Sequence, residues 1–234
     1  MPPRLTLVTG VGRAGQVGEA VATAFAARGD RVLLVNRGRD AVQERAAELR
    51  SAGHDALAYA CDLSDGQAVA ELAAQVAREH GGALDALVNV AGGFAMSGPV
   101  AESDPDIWTH MASINLDTAY HATRAFLPQV RQRRGAIVYF ASEAALPVAT
   151  GANMWAYAAA KGAVLAMMRA VAREERDAGV RANAVAPTTI RTATNELALG
   201  ASAQYVEREA VADAVWYLCS DAARGVTGQT IRLA

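Results

Sequence analysis

The sequence predicts an α/β fold: one doubly wound domain in which a parallel sheet of about seven strands is flanked by helices on both faces. Three observations carry this. Leu5 to Thr9 is a short, β-rich run closed by Gly10; glycines follow at Gly12, Gly15 and Gly18; and from about Gln16 the residues Val17, Ala20, Val21, Ala24 and Phe25 recur at helical spacing. Further β-rich runs alternate with helical patterns to the end of the chain. The length, 234 residues, suits one domain of this kind, or at most two small ones, and can bury a large core. The chain is therefore read as a single Rossmann-type, dinucleotide-binding and catalytic domain over residues 1–234.

The opening unit runs strand, glycine loop, helix. A dinucleotide pyrophosphate needs that order, because glycine lets the backbone turn tightly and approach the phosphates, and the helix start offers free N–H groups and its positive dipole end. Thr9, Gly10, Gly12, Gly15, Val17 and Gly18 are the candidate cofactor-binding residues of this stretch. The spacing leaves open which of Gly15 and Gly18 meets the pyrophosphate. A glycine turn that binds nothing is the competing reading.

Composition narrows the function. A net charge of −2 and a pI near 6.1 argue against a nucleic-acid or anionic-membrane surface. Cys61 and Cys219 lie far apart with no metal-ligand spacing, so both read as reduced packing residues and no metal is expected. Met1 to Arg4 runs straight into the first strand, which leaves no room for a secretory signal, and the weakly charged span Ala144 to Ala160 carries Pro147, Thr150, Gly151 and Asn153, as an apolar loop would. The expectation is a soluble, cytoplasmic protein with a small-molecule substrate and no membrane or nucleic-acid partner.

Arg31 to Val35 reads as the second buried strand and ends at Asn36-Arg37-Gly38-Arg39. In dinucleotide folds an acidic residue here binds the ribose 2′-hydroxyl and an arginine accommodates a 2′-phosphate. The acidic position is Asn36, with Arg37 beside it, which favours NADP(H) over NAD(H) because guanidinium matches phosphate with paired donors. A solvated charged turn is the bland alternative. A helix from about Asp40 to Ala52 and a strand from Asp55 to Ala60 follow. Ser64 or Asp65 then looks like the N-cap of a helix running to about His80.

Leu84 to Val90 is the next strand and runs into Asn89-Val90-Ala91-Gly92-Gly93, whose small residues let backbone pass close to a ligand or simply make a tight exit. A long helical pattern covers Pro105 to about Arg134, with Trp108, Met111, Ile114, Leu116, Ala119, Phe126 and Leu127. Gly135 to Ser142 is a strand that delivers Ser142 to its carboxyl end, where open α/β sheets bind ligands. A helix then opens at Ala156 and runs to about Ala178, carrying Tyr157 and Lys161 on one face. The strand Arg181 to Val185, a short Ala/Gly-rich segment Ala193 to Tyr205, a helix from about Glu207 to Cys219 and a strand Gly228 to Leu233 complete the chain.

Reducing a carbonyl takes a hydride and a proton for the developing alkoxide. Tyrosine is a poor base at its ordinary pKa near 10, and a lysine ammonium one turn away stabilises the phenolate. Ser142 can then hydrogen-bond the substrate oxygen. Singly, Tyr-x-x-x-Lys is a common helical accident; Ser142, Tyr157 and Lys161 in this order after a glycine loop are not.

Taken together these motifs resemble the short-chain dehydrogenase/reductase family, over nearly the whole chain. The Thr9-Gly10 loop is similar to its Thr-Gly-x-x-x-Gly-x-Gly, with about two extra residues before Gly18; Asn89-Val90-Ala91-Gly92 is similar to Asn-Asn-Ala-Gly; and Asn183 to Thr192 resembles Asn-x-x-x-Pro-Gly-x-x-x-Thr, with Thr188 in place of the glycine. The resemblance implies that Asp62 and Leu63 lie against the adenine and that Asn89 holds the central sheet with Ala91 and Gly92 beside the cofactor. It implies that Asn115 kinks its helix and holds a water of the proton relay, and that Pro187, Ile190 and Thr192 hold the nicotinamide carboxamide. It also implies a homodimer or homotetramer packed through the helices at 105–134 and 157–178, and a substrate lid at 193–206. Two departures stand out: the Ser142 to Tyr157 interval is about two residues longer than is usual in the family, and Glu143 puts a carboxylate beside the serine, facing either the pocket or solvent.

The function expected is reduction of a ketone or 3-oxoacyl-type carbonyl to an alcohol, or the reverse. A 3-oxoacyl-(acyl carrier protein) reductase is the commonest assignment for so compact a sequence, and the short lid weakens it. The alternative is a low-turnover cofactor-binding scaffold or regulatory homologue.

Overall fold

In the computed structural model, which describes residues 3–149 and 151–234, the chain winds outward from one central strand in two directions. β1 (Leu5–Thr9) is flanked by β2 (Arg31–Asn36) and then β3 (Ala56–Ala60) on one side, and by β4 (Ala86–Asn89), β5 (Ala136–Phe140), β6 (Arg181–Pro187) and β9 (Thr230–Leu233) on the other. All six pairings of this seven-stranded sheet are parallel. The inner strands are apolar on both faces, as parallel strands covered on both sides must be; every residue of β1, β4 and β5 is buried.

The covering layers follow from the crossovers. α1 (Val17–Ala26), α2 (Arg39–Ser51) and α8 (Arg208–Cys219) bury Val21, Phe25, Val42, Val211, Val215 and Leu218 on one face of the sheet. α3 (Gly66–His80), α5 (Thr118–Arg133) and α6 (Trp155–Glu174) bury Val69, Leu72, Phe126, Val164 and Met168 on the other. Local signals set several ends. Asp65, not Ser64, caps α3 by accepting from the N–H groups of Gln67 and Ala68, and Gly81 ends it at φ 79°. Asp104 caps α4 (Pro105–Ala112), with Pro105 in the first turn, where its missing N–H costs nothing.

Two helices differ from the sequence expectation. The pattern from Pro105 to Arg134 is not one α-helix: Ser113–Asp117 forms a π turn between α4 and α5. Apolar periodicity carries through a one-turn π bulge, so only the asparagine within it marks the change. α6 ends at Glu174 rather than near Ala178, because the chain turns back and Val180 N–H reaches the Glu175 carbonyl before β6. β7 (Ile190–Arg191), α7 (Ala193–Leu199) and β8 (Val206–Glu207) form a small excursion between β6 and α8. Among the described residues no helix is long and apolar enough to cross a membrane.

The direction of winding reverses between β1 and β4, and such a switch point opens a crevice at the carboxyl ends of the strands. Gly10, Ala91, Ser142 and Pro187 all lie at those ends. The helix that carries Asn115 to this crevice is anchored by Phe126, fully buried against the sheet. Phe126→Ala is expected to lower the unfolding free energy by about 3–5 kcal/mol in chemical denaturation; a loss below about 1 kcal/mol would contradict this packing.

Candidate functional site

At the first crossover each glycine does a different job. The Thr9 hydroxyl, buried, accepts from the N–H groups of Val90 and Ala91 at 3.0 Å each, which ties the exits of β1 and β4 together. A Cβ on Gly10 (φ 74°) would lie 2.8 Å from Ala91 Cα, and one on Gly12 would lie 2.6 Å from the Asn36 side-chain nitrogen. A Cβ on Gly18 would stand 2.5 Å from the Gly10 carbonyl oxygen. Gly18 is thus the glycine that lets α1 pack on β1. Gly15 has φ 71°, and its N–H donates to Glu19 Oε2 at 2.6 Å while its carbonyl accepts from Ala193 N–H at 3.2 Å.

These residues form a glycine-lined cradle that a Cβ at any of several positions would fill. α1 begins at Val17 with Gln16 extended and no side-chain cap, so its first amides face the cradle without a side-chain acceptor. A pyrophosphate fits there by the chemistry of the donors. The longer loop is pinned from both sides, by Glu19 below and by α7 above, where Gln16 Nε2 also donates to Thr194 Oγ1 at 3.1 Å. Glu19 itself is held by Arg45, whose guanidinium lies 3.1 Å away.

At the carboxyl end of β2 Asn36 packs against Gly12, and Arg37 is exposed beside it. Asp62 accepts from Ser64 N–H at 3.0 Å and from its hydroxyl at 2.6 Å; those bonds, with Arg37 nearby, hold the carboxyl below its ordinary range. The Leu63 side chain is packed into the core under α3, so of the Asp62 and Leu63 pair Leu63 can offer a ligand only its backbone. Asn89 is buried and donates to Thr123 Oγ1 at 3.3 Å, and Thr123 in turn contacts the Tyr139 hydroxyl at 3.0 Å. It binds β4 to α5 and β5 from beneath the crevice.

The Asn115 and Lys161 side chains converge on Gly92. A Cβ there would be 2.5 Å from Asn115 Oδ1 and 3.2 Å from Lys161 Nζ, so only glycine lets both approach. The π turn swings Asn115 inward, where Nδ2 donates to Gly93 O at 3.0 Å and to Met111 O at 3.1 Å, and Oδ1 accepts from Gly93 N–H at 3.2 Å. Lys161, 5% exposed, donates to the Phe140 carbonyl at 2.8 Å and lies 5.8 Å from the centre of the Tyr157 ring. Ser142 hydrogen-bonds Tyr157, and its oxygen also accepts from Ala144 N–H at 3.2 Å.

Lys161 is the only lysine in the sequence, against 21 arginines. Burial pulls its pKa down to about 8, which no arginine could match. For Tyr157 the outcome differs from the expectation of a lowered phenol. Burial raises its pKa and the Ser142 bond offsets part of that, with the lysine nitrogen 5.8 Å from the ring centre.

Glu143 lies in a surface ion pair: Arg232 on β9 donates to it from Nε at 2.6 Å. Thr188 stands comfortably where a glycine is usual, because its N–H extends the sheet to Leu233 O at 2.8 Å. Pro187 closes β6 just before it. The Ile190 carbonyl accepts from Asn195 Nδ2 at 2.8 Å, and the buried Thr192 caps α7 by accepting from Asn195 N–H at 3.2 Å, leaving the Thr192 hydroxyl hydrogen and the Ile190 amide for a ligand. Cys61 and Cys219 are buried free thiols whose pKa values burial raises to about 11 and about 12. Among the described residues no cluster of His, Cys, Asp or Glu is placed to hold a metal.

Sequence reasoning missed Glu19, the Phe140 carbonyl and Phe94. An acidic residue in the first turn after a phosphate-type loop was a usable signal for Glu19. A backbone acceptor carries none. Phe94, whose ring meets Tyr157 edge-on at 5.1 Å and 88°, follows directly after the Ala91-Gly92-Gly93 exit and could have been marked by that position.

Known proteins resemble the chain along its length. A family profile described as enoyl-(acyl carrier protein) reductase matches residues 10–233. Meso-2,3-butanediol dehydrogenase of Serratia marcescens is 34% identical over 97% of this chain and 92% of its own. A short-chain type dehydrogenase/reductase from Mycobacterium ulcerans superposes with TM-score 0.90 at 29% identity, covering 98% of this chain and 87% of that one. A substituted actinorhodin polyketide ketoreductase crystallised with NADPH gives TM-score 0.88 at 26% identity, with 99% and 96% covered.

Because the chain has a single lysine, its titration can be read directly. Reductive ¹³C-methylation followed by NMR is expected to show, beside the α-amino signal, one lysine resonance titrating near pH 8. A midpoint at or above about 10, the ordinary range for lysine, would contradict the burial described.

Proposed function

The chain belongs to the short-chain dehydrogenase/reductase family and is an oxidoreductase of the alcohol–carbonyl class, and we propose that it is an NADP(H)-dependent carbonyl reductase that also runs as an alcohol dehydrogenase. The observation that carries this is the meeting of Asn115, Lys161 and Gly92 beside the Ser142–Tyr157 pair at the sheet's switch point.

When bound, the nicotinamide cofactor supplies or takes the hydride. The polypeptide does the rest. Ser142, whose oxygen is held by Ala144 N–H, turns its hydroxyl hydrogen toward the substrate oxygen and stabilises the charge that develops there. The Tyr157 phenol, protonated near neutrality because burial raises its pKa, donates its proton to that oxygen in reduction and recovers one in the reverse direction. Lys161 compensates the transient phenolate, and its position is fixed by the Phe140 carbonyl. Asn115, bonded to both the N–H and the carbonyl of Gly93, orders the water through which protons reach Lys161.

Thr9, Gly10, Gly12, Val17 and Gly18 shape the pyrophosphate cradle, and Asn36 with Arg37 favours the 2′-phosphate of NADP(H). Asp62, Ala91 and Gly92 border the adenosine, and Pro187, Ile190 and Thr192 the carboxamide. Residues 193–206 act as a lid already docked on the glycine loop through Ala193 and Thr194. Trp108 and Tyr120, half exposed on α4 and α5, support a homodimer or homotetramer built on those helices and α6. Two reduced buried thiols support a cytoplasmic setting. Of the features that would favour a silent scaffold, the longer glycine loop is bonded to Glu19 and Ala193, Glu143 pairs with Arg232, and Thr188 extends the sheet to Leu233.

NADPH oxidation over a panel of ketones tests the reading. Tyr157→Phe is expected to cut kcat by about 10²–10⁴-fold while NADPH still binds; turnover independent of Tyr157 would overturn it. Reduction is expected to lose rate as pH rises through about 8, because Lys161 then gives up the proton that keeps it cationic; a rate that climbs over that range would contradict the assignment. Arg37→Asp is expected to raise KM for NADPH far more than for NADH, and equal effects would remove the cofactor preference.

A further inference from the structure

We propose that the carbonyl site takes an uncharged ketone bearing a flat aromatic group, with Phe94 as the residue that selects it. The proposal rests on the oxidoreductase reading and deepens it.

Phe94 is held where it must act. The preceding Gly93 peptide is bonded to Asn115 through both its N–H and its carbonyl, and farther along Ser97 N–H donates to Asn153 O at 2.7 Å, so residues 93–97 form a fixed wall between the cofactor loop and the entrance to α6. From that wall the Phe94 ring meets the Tyr157 ring edge-on, yet it remains 57% exposed. An aromatic face is thus open to a ligand immediately beside the proposed proton donor. Met96, two residues farther along the chain, is 56% exposed. Met96 also lines a cavity of about 380 Å³, together with Ser97, Asp104, Asp106, Ile107 and His110.

Charge excludes the competing substrates. The sequence has no lysine or arginine between Arg78 and Arg124, only Lys161 between Arg134 and Arg169, and none between Arg191 and Arg208. Those three stretches supply the Phe94 wall, the Ser142–Tyr157 loop and the lid. Lys161 is buried on the Phe140 carbonyl, and Arg191 is engaged by Glu196 and Glu207 at 2.9 and 2.7 Å. A carboxylate, a sugar phosphate or a phosphopantetheine thioester would find Asp104 and Asp106 here, and the guanidinium groups of Arg191 and Arg232 already paired with carboxylates. A polyol gains less at the exposed Phe94 ring than a flat arene does, since its hydroxyls find no partner on that face.

The experiment compares kcat/KM with NADPH for an aryl methyl ketone, 2,3-butanedione, a ketose and an acetoacetyl thioester, in the wild-type chain and in Phe94→Ala and Phe94→Leu, with circular dichroism and melting curves to show that the variants fold. The aryl ketone is expected to lead by about tenfold or more. The aryl-to-butanedione ratio is expected to fall by about tenfold in Phe94→Ala, mainly through KM, and by less in Phe94→Leu. Preference for the ketose or the thioester, or an unchanged ratio in both variants, would overturn this inference and leave the oxidoreductase reading standing. No Tyr157-dependent turnover with any of the four would overturn both.

Discussion

A desolvated ammonium group, on Lys161, is what the rest of the site is arranged around. Taking such a charge from water is costly unless polar atoms replace the water, and here the Phe140 carbonyl, Asn115 across Gly92 and the Tyr157 ring provide the surroundings. Each depends on a longer-range feature. Phe140 is the last residue of a fully buried strand, Asn115 points inward only because α4 and α5 are separated by a π turn, and Gly92 is the single residue whose missing Cβ lets the two side chains share one place. The chain uses arginine for every other basic position, so the one lysine marks a need for a compact charge with an adjustable pKa.

The glycine loop shows a second coupling. Gly15 is tied by its N–H to Glu19 on α1 and by its carbonyl to Ala193 on α7, so the glycine loop and the segment proposed as a lid meet at one residue. Arg45, nearly buried, fixes Glu19 from α2. The extra residues of this loop therefore do not loosen it; they reach far enough to be clamped from both sides.

Much of this was legible in the sequence, for physical reasons. Buried parallel strands such as Leu5–Thr9 and Ala136–Phe140 must be apolar throughout, and Tyr157 and Lys161 share a helix face by spacing alone, so fold class and side-chain grouping could be read early. Three kinds of information could not. The π turn at Ser113–Asp117 leaves apolar periodicity intact, so Pro105 to Arg134 reads as one helix. Partners distant in sequence, Glu143 with Arg232 and Gly15 with Ala193, are fixed by the closing of the fold. The sign of the Tyr157 shift depends on how deeply the ring is buried and where the lysine sits relative to its oxygen, and spacing gives neither.

The central claim is that Lys161 governs the proton affinity of Tyr157 once a cationic nicotinamide stands beside both. Ultraviolet difference titration at the phenolate band, wild type minus Tyr157→Phe, with and without NADP⁺, measures this most directly. The account predicts that NADP⁺ moves the Tyr157 transition to lower pH and that Lys161→Met removes most of that displacement. A Tyr157 transition that NADP⁺ leaves in place, or that moves equally in Lys161→Met, would contradict it.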